Sequence, residues 1–157
     1  EMLTEVSIDS KEIIFNIGCF VIKSKLIEGN YPDYNKVFPD SLPNKLLVDK
    51  ETLRAALQRV SILTNDQFKG VKLLIDKAEL KLTTNNPSQE EGEDIISCNY
   101  GGDTVEIGFN LNYLLEVIDV VDSKELNLEL NNANSGCLIS SNSETSTNKY
   151  IIMPMRV

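Results

Sequence analysis

One order of elements, a strand, a helix and then three strands, runs twice through the 157-residue chain, and two copies of a unit that cannot bury its apolar face alone have to share a core. The first copy opens with the apolar run Leu46-Leu47-Val48. Asp49 follows where a helix N-cap belongs, because its carboxylate can accept from the first unpaired backbone amides. Leu53, Ala56, Leu57, Val60 and Leu63 then recur at helical spacing, while Arg54, Gln58, Arg59 and Ser61 fall mostly on other faces. Gly70–Asp76 and Glu79–Thr84 read as strands, Asn85–Asp94 as a loop, and Ile95–Tyr100 as a third strand. Gly101 and Gly102 are expected to close a tight hairpin, since glycine tolerates positive φ. The order restarts about 60 residues on. Thr104–Ile107 reads as strand, a helix from about Asn110 carries the stripe Leu111, Leu114, Leu115, Ile118 and Val121, and strands follow at Leu126–Leu130, Gly136–Ser140 and Lys149–Met153.

Glu5–Ile8, Glu12–Asn16 and Cys19–Leu26 read as the closing strands of a further, incomplete copy, with Glu1–Leu3 as the last turn of its helix. The chain is therefore expected to begin inside a module whose front half lies upstream. Pro32, Pro39 and Pro43 stiffen Gly29–Pro43 into a linker. The expected fold class is α+β, with antiparallel sheets and two helices in the complete domain. Residues 1–35 would hold the closing strands and linker, and residues 36–157 the complete domain.

Composition removes several chemistries. Histidine is absent, so there is neither the usual general base nor the commonest transition-metal ligand. Cys19, Cys98 and Cys137 are scattered within strand-like stretches and form no CxxC pair, so all three are expected as buried small hydrophobes rather than a disulfide or zinc framework. No metal or cofactor is expected. A net charge of −9 argues against a generally basic nucleic-acid binder and leaves room for a local basic patch. No stretch approaches a membrane span and the start lacks a signal peptide's pattern, so a cytoplasmic protein is expected. The ending is unusual: Ile151, Ile152, Met153, Pro154, Met155, Arg156 and Val157 make an apolar tail where termini are ordinarily polar. Such a tail either packs on its own domain or lines a surface for a partner.

Ser24–Tyr34 (SKLIEGNYPDY), Asn65–Val71 (NDQFKGV), Asn85–Glu91 (NNPSQEE), Ile107–Asn110 (IGFN) and Met153–Arg156 (MPMR), in this order and at these separations, together resemble the bacterial DNA polymerase III beta sliding clamp. The resemblance implies a DNA clamp fold, the chain being the end of a second domain plus the whole third domain of a three-domain subunit. Two such subunits form a homodimeric ring around duplex DNA. It also implies a groove for Gln-Leu-x-Leu-Phe-like peptides of polymerases, the clamp loader and repair proteins. Matched by motif, the groove would use Pro32, Lys36, Val37, Phe68, Asn110, Tyr113, Asn134, Gly136 and Ile151 through Val157. Pro32, Val37, Ile151 and Met153 would be apolar walls, and Lys36, Asn110, Tyr113 and Arg156 polar guides. Arg54, Arg59 and Lys69 would face DNA phosphates, and Ile62, Leu63, Gln89, Glu90, Glu91 and Glu93 the other half of the ring. Two other readings compete with this non-catalytic role: an adaptor that binds proteins through sheet edges, and a hydrolase using Glu90 with Glu93 or Asp94.

Overall fold

The computed structural model describes residues 3–30, 33, 37–38, 42–64, 69–143 and 148–156, and the chain divides into two units, Glu1–Asp33 and Tyr34–Val157. In the first, β1 (Thr4–Ile8), β2 (Glu12–Ile17) and β3 (Phe20–Lys25) form one antiparallel sheet in that order. Asp9 shapes the first turn by accepting from the Lys11 and Glu12 amides at 2.7 and 2.9 Å, bonds that hold its carboxyl below the usual carboxylate range. Gly18, at φ 59°, makes the second turn with Cys19 and brings Ile17 opposite Phe20. Cys19 is therefore exposed in a hairpin turn and is not the buried strand residue expected. Leu3 is exposed and lies in no helix, while Glu1 and Met2 lie outside the described residues.

The second unit runs β4 (Asn44–Asp49), α1 (Lys50–Ser61), β5 (Gly70–Ile75), β6 (Glu79–Asn85), β7 (Glu91–Ser97), β8 (Asn99–Tyr100), β9 (Val105–Asn110), α2 (Leu111–Val120), β10 (Glu125–Leu130), β11 (Cys137–Ser141) and β12 (Lys149–Ile152). The two modules exchange their first strands. One sheet has the order β12-β11-β10-β4-β8 and the other β7-β6-β5-β9, so the opening strand of each module completes the other's sheet. The exchange keeps one register in both halves: Asp49 stands opposite Glu125, the first residue of β10, just as Asn110 stands opposite Gly70, the first residue of β5. Both opening strands then cap the helix that follows, Asp49 accepting from the Thr52 amide at 2.8 Å and Asn110 from the Asn112 amide at 3.0 Å.

The apolar stripes of both helices (Leu53, Ala56, Leu57 and Val60; Leu111, Leu114 and Ile118) close over the inward faces of the sheets, where Leu46, Leu73, Leu82, Ile107, Phe109 and Leu128 are fully buried. Each such Leu, Ile or Phe contributes roughly 1.5–3 kcal/mol through lost hydration. The core therefore belongs to neither module by itself. Buried Thr84 satisfies its hydroxyl on the Gly70 carbonyl at 3.0 Å. No helix among the described residues is long and apolar enough to cross a membrane.

Three local expectations fail. Gly101 and Gly102 close no hairpin: neither has positive φ, β8 pairs with β4 and β9 with β5, because β9 belongs to the other sheet. The loop expected over Asn85–Asp94 is shorter, since β7 begins at Glu91 and pairs with β6 from Asn85 onward; outward Glu91 and Glu93 alternate with inward Gly92, Asp94 and Ile96, a half-buried strand written in charges. Leu63 lies beyond the end of α1 rather than on its stripe, and an added Cβ at Gly92 would meet its Cδ1 at 2.9 Å.

Candidate functional site

The last strand and the tail form a surface with a definite anchor. β12 is an edge strand against β11, with Ile152 opposite Cys137. Ile152 itself is buried, so of the tail residues expected in a groove it serves the core instead. Ile151 and Met153 point the other way along the pleat and lie over bare backbone at Gly136, where an added Cβ would come 3.0 Å from Ile151 Cγ1 and Cδ1 and 3.2 Å from Met153 Sδ. The chain then reaches the outer edge of β9, and the Met155 amide donates to the Gly108 carbonyl at 2.9 Å. That bond fixes the backbone while Met153 and Met155 stay 60% and 41% exposed. The adjacent α2 packs against both β9 and β12.

These contacts bring Gly136, Ile151 and Met153 together, with Met155 two residues further along at the edge of β9. Tyr113 is exposed on the first turn of α2, just after Asn110, whose side-chain oxygen is already occupied as the helix cap. Asn134 is exposed in the turn before β11 and donates its amide to Asn132 Oδ1 at 2.8 Å. Pro154 is half-buried, and Arg156 and Val37 are exposed. Pro32, Lys36, Phe68 and Val157 lie outside the described residues. Sequence reasoning missed Gly108, the acceptor for the tail; a glycine between Ile107 and Phe109 inside a strand is the signal for close backbone approach. With two partly exposed, flexible methionines and a fixed backbone behind them, the patch suits an apolar partner of variable shape.

The basic residues expected to face DNA diverge. Arg54 Nε donates to Asp119 Oδ1 on α2 at 2.7 Å, and Arg59 Nε to Asp94 Oδ2 on β7 at 2.6 Å, so the two guanidiniums leave α1 in different directions. Asp119 raises the pKa of the Arg54 guanidinium, its hydrogen bond being the largest cause. Lys69 precedes β5 and accepts the Leu111 amide on its own carbonyl at 2.8 Å.

The expected interface residues gather round the end of α1 and the start of β7. Ile62 is exposed, Leu63 packs over Gly92, and Glu91 and Glu93 face outward on the edge strand. Asn86 ties the 86–90 loop together by accepting from the Glu90 amide at 3.1 Å and donating to its carboxylate at 2.6 Å, with Gln89 at φ 62° between them. The carboxylates of the hydrolase reading are thus engaged: Glu90 by Asn86, Glu93 by Lys81 at 2.5 Å, and Asp94 by Arg59. Among the described residues no group of three or more His, Cys, Asp or Glu side chains could hold a metal ion.

Comparison with known proteins agrees with this architecture. The family described as DNA polymerase III beta subunit, C-terminal domain, matches residues 35–156. The Beta sliding clamp of Proteus mirabilis is 36% identical over the whole chain, which covers 42% of that protein. Among solved structures, the DNA polymerase III subunit beta of Pseudomonas aeruginosa superposes with a TM-score of 0.89 at 34% identity, over 98% of this chain and 42% of that one. A DnaN sliding clamp of Bartonella birtlesii bound to griselimycin gives 0.89 at 36% identity, over 97% and 41%. The chain thus spans under half the length of these relatives and has the clamp fold.

Proposed function

Because the chain belongs to the family of the C-terminal domain of the DNA polymerase III beta subunit, we propose that it works as part of a sliding clamp: a non-catalytic ring, closed by two protomers around duplex DNA, that keeps replication and repair proteins on the template. DNA is held by topology, with loose phosphate contacts and no reading of bases. Partners dock through short Gln-Leu-x-Leu-Phe-like peptides, whose Leu and Phe side chains lie against Ile151, Met153 and Met155. The observation that carries this reading is the methionine tail, exposed yet pinned by the Met155–Gly108 backbone bond; it presents a pre-ordered apolar wall, which lowers the ordering cost of binding. The related clamp that holds griselimycin supports a ligand site on this fold. The acidic edge of β7, with Ile62 and Leu63, supports ring closure through apolar area flanked by charge.

A fluorescent Gln-Leu-x-Leu-Phe peptide titrated into the chain is expected to bind saturably, and Met153→Ala to weaken it by about ten-fold or more, the loss typical of a binding hot spot. Binding indifferent to Met153 would take the docking role away from the tail.

A further inference from the structure

The helix layer differs in charge from the rest of the molecule. In a chain of net charge −9, α1 carries three cations and one anion and α2 two anions, so the helix pair is neutral. Neutrality lets a polyanion approach but supplies little attraction. Within the pair Arg54 is tied across the helix interface to Asp119, a contact whose side chains are 36% and 52% exposed. We propose that Asp119 is a positioning residue that governs how strongly this face holds duplex DNA, by keeping the Arg54 guanidinium turned along the helix layer instead of outward to a phosphate. The inference rests on the sliding-clamp reading and goes beyond it.

The chemistry is a competition between two anions for one cation. A phosphate that captures Arg54 must break an ionic hydrogen bond at 2.7 Å and leave the Asp119 carboxylate unpaired close to its own charge. Both effects weaken the contact without forbidding it, as a protein that must slide requires, and both shrink at high salt because the pair is solvent-exposed. Glu116 provides the internal control. It lies three residues before Asp119, on the same side of α2 and exposed, so Glu116→Gln makes the same change in net charge without releasing an arginine.

The experiment titrates a blunt duplex of about 20 base pairs into the intact chain at about 0.05 M salt, comparing wild type, Asp119→Asn, Glu116→Gln and Arg54→Ala in each background, and follows the Arg54 Nε–H resonance by NMR. Asp119→Asn is expected to raise affinity at least about three-fold above Glu116→Gln and to steepen the salt dependence by about one counterion. The Arg54 resonance should move on adding DNA, and Arg54→Ala should cancel the gain. Equal gains from Asp119→Asn and Glu116→Gln, with Arg54→Ala still weakening binding, would overturn the positioning role and leave the clamp reading intact. If Arg54→Ala changes nothing in any background and its resonance stays still, the DNA contact on this face is itself wrong.

Discussion

Each half of the second unit ends with an edge strand whose chain crosses to the other sheet, and the two crossings are finished to very different degrees. After β7 the chain becomes β8, which pairs with β4 through Leu46–Tyr100 and Leu47–Asn99. Two further backbone bonds, from Cys98 to the Ala78 carbonyl at 3.0 Å and from Tyr100 to the Lys77 carbonyl at 3.3 Å, tie it to the β5–β6 turn. Tyr100 is 3% exposed and its hydroxyl donates to the Asp103 carbonyl at 2.7 Å. After β12 the same move gives, among the described residues, one bond, Met155 to Gly108. Gly108 is the fourth residue of β9 as Leu47 is of β4, so the tail occupies the counterpart of β8. There, however, methionines face solvent where a tyrosine is buried. A symmetric fold thus closes one of two equivalent crossings and keeps the other as a surface, which is why partner docking is proposed at one end only.

The difference is expected to appear most strongly in stability. Tyr100→Ala empties a buried site and should cost about 3–5 kcal/mol, whereas removal of Met153–Val157 should cost under about 1 kcal/mol, since a terminal segment with exposed side chains contributes little. Urea unfolding followed by circular dichroism measures both. A truncation as costly as Tyr100→Ala would mean the tail is core, and the comparison would collapse.

A pH titration sharpens where the open crossing begins. Cys137, opposite Ile152, is buried so completely that its thiol is pushed up to about 12, against about 8.5 in an unfolded chain. The folded state keeps the proton while the unfolded chain loses it. Stability present below about pH 8.5 therefore falls as pH rises toward 12, by up to about 1.4 kcal/mol per unit. Cys98 and Tyr100, both raised chiefly by burial, add to the fall. Cys137→Ala should flatten the decline seen in urea melts between about pH 9 and 11. An unchanged decline would mean β12 opens readily and water reaches Cys137, so that the open segment starts before Met153.

Much of this architecture was legible in the sequence because it depends on period and caps. Leu53, Ala56, Leu57 and Val60 of α1, Leu111, Leu114 and Ile118 of α2, and the cap Asp49 fall where spacing put them. The exchange of first strands was not legible, since strand partners are a tertiary choice that local pattern does not encode. Charge hid the first half of β7, whose outward Glu91 and Glu93 look like loop residues. The glycine pair 101–102 suggested a hairpin that occurs instead at Gly18 and Cys19, where the flanking strands really are neighbours. At the site, the tail's apolar character was plain from its residues, but its anchor was not, because an edge-to-edge backbone bond leaves no side-chain signature beyond Gly108.

Two glycines give the smallest and most discriminating contrast. An added methyl at Gly102 would sit 2.6 Å from Tyr100 Oη and 2.8 Å from its Cζ, and that ring is held by the core and by the Asp103 carbonyl, so it cannot yield; Gly102→Ala should cost about 2 kcal/mol. At Gly136 the methyl would meet Ile151 and Met153 Sδ, side chains of an edge strand and a tail that can swing outward. Gly136→Ala should therefore cost only about 0.5 kcal/mol of stability while weakening the Gln-Leu-x-Leu-Phe peptide by about ten-fold, because the wall it binds has been displaced. Lost stability and lost binding would then separate by position: the closed crossing registers a methyl in unfolding, the open one in affinity. If Gly136→Ala proves as destabilising as Gly102→Ala, Met153 is packed as firmly as Tyr100, and the two crossings differ in exposure alone.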